Sequence, residues 1–254
     1  MIILGLSNLL LLLLFIAFIL PKNIWKTTRA EYKKILISHS LYLGIIGAVV
    51  AFHLLEVNFL DSMATSFVGT NFAPTLHSIE DSVVYWFTQH WTPVLVYFFV
   101  FIYIVFYPFT LWFSLLYFLL ADQKKPMKTF AFGFVLIYAF TLPFYLFLPI
   151  TNVYTYFGST SALNTVIPGV EQFFYATTTN NNSFPSLHVA MAFLIANTVS
   201  LTKNKRYTYL AYFSALCVLC SVIYLGIHWI IDVLGGILIS FGAFYLAKRY
   251  AKET

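Results

Sequence analysis

Two histidines and one aspartate carry the chemistry of an otherwise apolar chain. His188 ends the polar run Asn180-Asn-Asn-Ser-Phe-Pro-Ser-Leu-His188, and His228 opens His228-Trp-Ile-Ile-Asp232-Val-Leu-Gly-Gly236. Ionisable groups at the edge of apolar segments are costly to keep and tend to be functional. His228 and Asp232 are four apart, which puts them on one face of a helix. A carboxylate there keeps one ring nitrogen protonated and turns the other outward as a nucleophile or base. Pro185 suits the first turn of a helix, because its missing N–H would have no partner there. Ser186 and the backbone N–H groups behind it then form an anion site at a helix N-terminus. Gly226 permits a tight connection, and Gly235 and Gly236 permit close helix contact.

The elements that position these groups follow from composition. The 254 residues are 61% hydrophobic, 20% aromatic and only 9% charged, against about 25% charged in soluble domains. One core cannot hide that much apolar surface from water. The chain is therefore an all-α, polytopic membrane helical bundle. Seven runs approach the ~20 residues a spanning helix needs: Met1–Leu20, Ile35–Leu55, Thr92–Leu120, Thr129–Pro149, Leu187–Leu201, Tyr207–Gly226 and His228–Ala247. Residues 1–34 read as an extra N-terminal helix with a basic cytoplasmic linker, and residues 35–254 as a six-helix catalytic domain.

The net charge is +5, yet the basic residues do not form a nucleic-acid surface. All fourteen fall in four clusters between or after the apolar runs: Lys22 to Lys34, Lys124 to Lys128, Lys203 to Arg206 and Lys248 to Lys252. Such clusters mark the cytoplasmic side. The C-terminus is then cytoplasmic, and both histidines lie on the extracytoplasmic or lumenal face. Two outer segments follow, roughly Glu56–Trp91 and Ile150–Ser186, with a short interfacial helix expected over Ser78–Trp91. His77 and His90 read as surface residues, and His39 and His53 as helix packing. Cys217 and Cys220 read as small buried side chains.

The motifs resemble those of the type 2 phosphatidic acid phosphatase superfamily, Pro-Ser-Gly-His and Ser-Arg-x5-His-x3-Asp. The matching positions are Pro185-Ser186-Leu187-His188 and Ser221-Val222-x5-His228-x3-Asp232. The resemblance implies His228 as nucleophile forming a phosphohistidine, Asp232 orienting it, and His188 as general acid for the leaving alkoxide. It also implies a Ser186 contact to phosphate, with no metal and no cofactor. Leu187 replaces the usual Gly and Val222 the usual Arg, both as in the branch containing inositol phosphorylceramide synthases. The family's first motif, Lys-x6-Arg-Pro, is absent; its place reads Leu148-Pro-Ile-Thr-Asn152-Val-Tyr154.

No Lys or Arg therefore remains on the catalytic face, where a bidentate Arg would usually hold phosphate. The candidates left for substrate or phosphate binding are Ser186, Asn152, Tyr154, Tyr224 and Asn182. The expected function is a metal-independent lipid phosphatase or phosphotransferase. Its partners are the bilayer, a membrane lipid phosphate or phosphodiester, and water or an alcohol such as inositol as acceptor. The alternative is a non-catalytic membrane protein that kept the fold for lipid binding or assembly. A zinc hydrolase stands third, since His and Asp suit zinc.

Overall fold

The computed structural model describes residues 2–21, 25–171 and 178–252. Met1 of the first expected span and Lys22 of the first basic cluster lie outside the described residues. An isolated parallel bridge joins Ile150 to Asn182, and every other regular element among the described residues is helical. In chain order these are α1 (Ile2–Phe18), α2 (Arg29–Leu55, running on through Glu56–Leu60 into Asp61–Val68), α3 (Ala73–Glu80) and α4 (Val83–Gln89). Then come α5 (Pro93–Phe101, Ile102–Phe106 and Tyr107–Leu120), α6 (Lys124–Phe147), α7 (Val153–Tyr156) and α8 (Ala162–Val166). The chain closes with α9 (Leu187–Ser200), α10 (Lys205–Tyr224) and α11 (Ile230–Tyr250).

Each of the seven expected spans is a helix. Five of the helices, α2, α5, α6, α10 and α11, are long and apolar enough to cross a bilayer, while α1 and α9 are shorter. Their ends are set locally. Thr28 and Glu31 form a reciprocal cap at the start of α2, and Asn204 accepts the Tyr207 N–H to start α10. The short α9 sits at the centre, packed on α5, α6, α10 and α11. Val189 to Val199 are all buried, so α9 has no lipid face. A helix apolar all round is a core helix, and in a bilayer its stability comes from close packing rather than water exclusion.

Around α9 the outer helices keep one face for lipid, with Leu13, Trp112, Leu238 and Tyr245 exposed. The α1 helix lies at the periphery against α5, where Phe15 meets Phe109 and Phe113 edge-on at 4.8 and 4.9 Å.

Three expectations change here. The second span does not end at Leu55. It continues to Val68 through a π-helical turn at Glu56–Leu60, so the outer segment begins later than Glu56. An acid after an apolar run reads as a span end, but the extra residue of a π turn rotates Glu56 into the bundle, where it is fully buried. The single interfacial helix expected over Ser78–Trp91 is two short helices, broken at Asp81 with φ 55°. Cys220 is exposed on the outer side of α10 and Cys217 half-buried, not both buried.

Candidate active site

Three segments meet at one end of the bundle: the start of α9, the connection from α10 to α11, and the 150–152 strip that pairs with the 180–183 run. Gly226 turns the chain between α10 and α11 with φ +70°, and a Cβ there would lie 2.5 Å from Thr88 Cγ2. The strip is sewn by backbone bonds, with Ile150 N donating to Asn181 O (2.7 Å) and Ser183 N to Ile150 O (3.1 Å). That register turns Ser183 towards His228.

The His228–Asp232 pair forms, though not as two residues on one helix face. His228 precedes the helix, which begins at Ile230, and Asp232 reaches back from its first turn. Asp232 Oδ2 accepts three contacts: the Trp229 N–H at 2.9 Å, the Ser183 hydroxyl at 2.6 Å and His228 Nδ1 at 3.2 Å. Capping thus does what the i,i+4 spacing was expected to do. Ser183 Oγ also lies 3.2 Å from His228 Nδ1. With Nδ1 held on that side, Nε2 is the ring nitrogen offered to the cavity that His228 lines.

His188 lies in the first turn of α9, its ring centroid 6.3 Å from that of His228. Tyr103 Oη is 3.2 Å from His188 Nε2 and 3.4 Å from Nδ1. Tyr103 comes from a second π-helical turn, Ile102–Phe106, inside α5. The two π turns among the described residues thus supply Glu56 and Tyr103, and such turns concentrate at functional positions.

The two histidines, Glu56 and Tyr103 share a cavity of about 510 Å³. Its remaining wall is largely aromatic and aliphatic, with Tyr107, Tyr138 and Leu111 among it. None of its lining residues is Lys or Arg, as the charge clusters led us to expect.

The other expected site residues divide. Asn152 and Tyr154 line the cavity. The Asn152 side chain accepts the Thr155 N–H to cap α7 and donates to Asn180 Oδ1, and the Tyr154 hydroxyl donates to Glu171 at 3.1 Å. Asn182 also lines it and donates to Glu56 Oε1 at 2.8 Å. Ser186 does not face the cavity. It is fully buried, caps α9 through the Val189 N–H at 3.4 Å, and gives its own N–H to Asp232 O. Tyr224 lies outside the cavity too, its hydroxyl accepting the Thr92 N–H at 2.9 Å. Pro185 precedes the cap instead of occupying the first helical turn, since α9 starts at Leu187.

Four positions the sequence reading passed over take part. Ser183 bridges the His–Asp pair, Tyr103 meets His188, and Glu56 lines the cavity. His53, assigned to packing, lines it as well, 3.8 Å from Glu56 Oε2. Glu80 acts from behind, accepting the Ile230 and Ile231 N–H groups at 2.8 and 2.6 Å and so capping α11 below Asp232. Burial pushes the Glu80 carboxyl up, those two bonds pull it down, and Asp232 nearby pushes it up. The α11 N-terminus is therefore closed by a protein carboxylate. The α9 N-terminus instead opens on the cavity through Leu187 and His188.

For the zinc reading, three ligands would have to converge. Among the described residues no group of three or more His, Cys, Asp or Glu gathers to hold a metal ion.

Fold and site together define a multi-pass helical membrane protein with two histidines and a buried carboxylate gathered at one end of its bundle. The chain matches the family model described as the PAP2 superfamily over residues 73–246, about two thirds of its length, and it belongs to that superfamily. Membership carries a phosphatase-type, lipid-related function. No curated protein and no solved structure matches the chain.

Proposed function

We propose that the protein is a lipid phosphatase or phosphotransferase working through a phosphohistidine on His228. The observation that carries this reading is the His228 ring, held at Nδ1 by Asp232 and Ser183 and opening on a cavity it shares with His188. The Nε2 lone pair attacks phosphorus, and the bond from phosphorus to the lipid oxygen breaks. His188 gives its proton to the departing alkoxide. It then takes a proton from water or an alcohol, whose oxygen displaces His228. Water makes the protein a phosphatase; an alcohol such as inositol makes it a transferase. Leu187 and Val222 support the synthase-like branch. Residues 35–254 form the catalytic unit in this reading, supported by the peripheral packing of α1.

The test is turnover by the purified protein in liposomes. Lipid monophosphates and phosphodiesters are offered with and without polyol, in the presence of chelator. We expect release of the lipid alcohol, an acid-labile phosphoryl group on the protein after rapid quenching, and no effect of chelator. Absence of turnover on every lipid favours the second reading, a non-catalytic lipid-binding protein, which the lack of Lys and Arg around the cavity motivates.

The same proposal puts the cavity mouth outside the cytoplasm, supported by the basic clusters at the opposite helix ends. Thr160 is exposed in the segment on that face. In a chain with Cys217 and Cys220 replaced by Ala, Thr160→Cys is expected to react with an impermeant thiol reagent from the outer or lumenal side. Reaction from the cytoplasmic side alone overturns the orientation.

A further inference from the structure

The cavity carries a feature that phosphate chemistry does not use. Glu56 is fully buried, lines the cavity, and is surrounded by no Lys or Arg. Its Oε1 accepts the Asn182 amide at 2.8 Å, while Oε2 has no hydrogen-bond partner among the described residues. His53 Nδ1 is 3.8 Å from Oε2, an ion-pair distance when the ring is protonated but too long for a hydrogen bond. Asp61, buried on the next turn, gives its N–H to the Glu56 carbonyl, so a second carboxylate lies beside the first. The Asn182 Oδ1 and Tyr138 Oη atoms are also buried without a hydrogen-bond partner among the described residues, and both residues line the same space.

Buried polar atoms without a hydrogen bond, two of them the acceptor oxygens of Glu56 and Asn182, are expensive in an apolar medium. What would satisfy them is a ligand that brings donors and positive charge. The wall is compatible with such a group: Tyr138, packed edge-on against His53, lines the Glu56 corner, while Tyr103 and Tyr107 line the same cavity beside His188. The geometry also ties this corner to the catalytic pair. Asn182, which holds Glu56, is followed directly by Ser183, which holds His228. One loop thus holds both the carboxylate and the ring, which line the same cavity.

The charge balance points the same way. A phosphate monoester carries up to two negative charges and would bring them into a cavity that already holds a buried carboxylate and is lined by no Lys or Arg. A phosphodiester with an ammonium head is neutral overall, with its single negative charge at the histidines and its positive charge at Glu56.

We propose that Glu56 is the binding site for a primary or quaternary ammonium head group, and that the substrate is a zwitterionic phosphodiester lipid. The inference rests on the phosphohistidine reading for its catalytic consequence. When His228 attacks such a diester, the bond from phosphorus to the lipid alcohol breaks and His188 protonates the leaving oxygen. The phosphoamine stays on His228 with its ammonium group at Glu56, until water or an alcohol takes the phosphorus.

The experiment compares two diesters with identical tails, one with an ethanolamine head and one with a glycerol head, in mixed micelles. For the native protein, kcat/KM for the ethanolamine lipid should exceed that for the glycerol lipid by about 10–100-fold, the range expected of one buried charge pair. Glu56→Gln, nearly isosteric and still able to accept the Asn182 amide, should bring the ratio close to one. Equilibrium binding of the two phosphonate analogues, which do not turn over, is measured in parallel and should show the same preference and the same loss. A native protein without preference in either readout overturns the site, whether or not the variant folds. So does a Glu56→Gln protein of unchanged melting temperature that keeps the preference, or one that loses only transfer to alcohol. Preferential binding without turnover of any lipid upholds the site and instead sinks the phosphohistidine reading.

Discussion

On the proposed mechanism, His228→Ala is expected to abolish lipid phosphate ester turnover, with the single-turnover rate falling by at least about 10³-fold. The expected loss is large because, in that mechanism, the ring supplies the attacking lone pair itself, so its removal deletes the covalent intermediate. Neighbouring variants should grade downward with distance from phosphorus. Asp232→Asn leaves a side chain of the same shape but removes the charge that fixes the ring tautomer, and about 10²–10⁴-fold is expected. Ser183→Ala removes one hydroxyl that orients both Asp232 and His228, an interaction of about 1–1.5 kcal/mol, hence roughly tenfold in rate. Ser183→Thr, which keeps the hydroxyl, should restore most of that, as a purely packing role would not require. Acid-labile phosphoryl on the protein should vanish with His228 and persist, formed more slowly, in the Ser183 variant. A His228→Ala protein with native turnover overturns the mechanism.

How far the sequence reached can be followed through these same residues. His188, His228 and Asp232 were legible because their types, order and spacing form a pattern that an apolar chain rarely contains by accident. Asn152, Tyr154 and Asn182 were legible as wall residues, since they belong to the outer segments flanking the helices. Ser183 was not singled out, because only the register of the 180–183 run against 150–152 decides which of its polar side chains faces His228. Ser186 looked like the phosphate contact; its N–H bond to Asp232 O instead draws it under α11.

Glu56 and Tyr103 were hidden for one shared reason. Each is delivered by a π turn inside a helix, and a single inserted residue leaves no mark on an apolar periodicity. Helix number and approximate position came through well, since length and hydropathy alone set them. Where α2 ends did not, because a buried acid imitates a helix end at the membrane surface.

Gly236→Ala should cost about 10²-fold in activity and about 1–3 kcal/mol in stability, although Gly236 touches no candidate catalytic side chain. A Cβ at this position of α11 would lie 2.5 Å from the Ser186 carbonyl oxygen and 3.4 Å from the Ala190 nitrogen. The obstacle is backbone, so no side-chain rotation relieves it. Ser186 O accepts the Ala190 N–H at 3.0 Å, and Ser186 N donates to Asp232 O at 2.9 Å. The methyl group would therefore push apart the two helix starts that carry His188 and Asp232. A separation of roughly an ångström is enough to pull attacking and protonating groups out of line. Gly242 supplies the control in the same helix, because a Cβ there meets nothing within 4 Å. Gly242→Ala should leave turnover unchanged and hold or raise the thermal midpoint. Single-turnover rates and melting temperatures of the two variants, measured side by side, decide the matter. If Gly236→Ala behaves like Gly242→Ala, the contact between α11 and the start of α9 does not set the distance between the proposed catalytic groups.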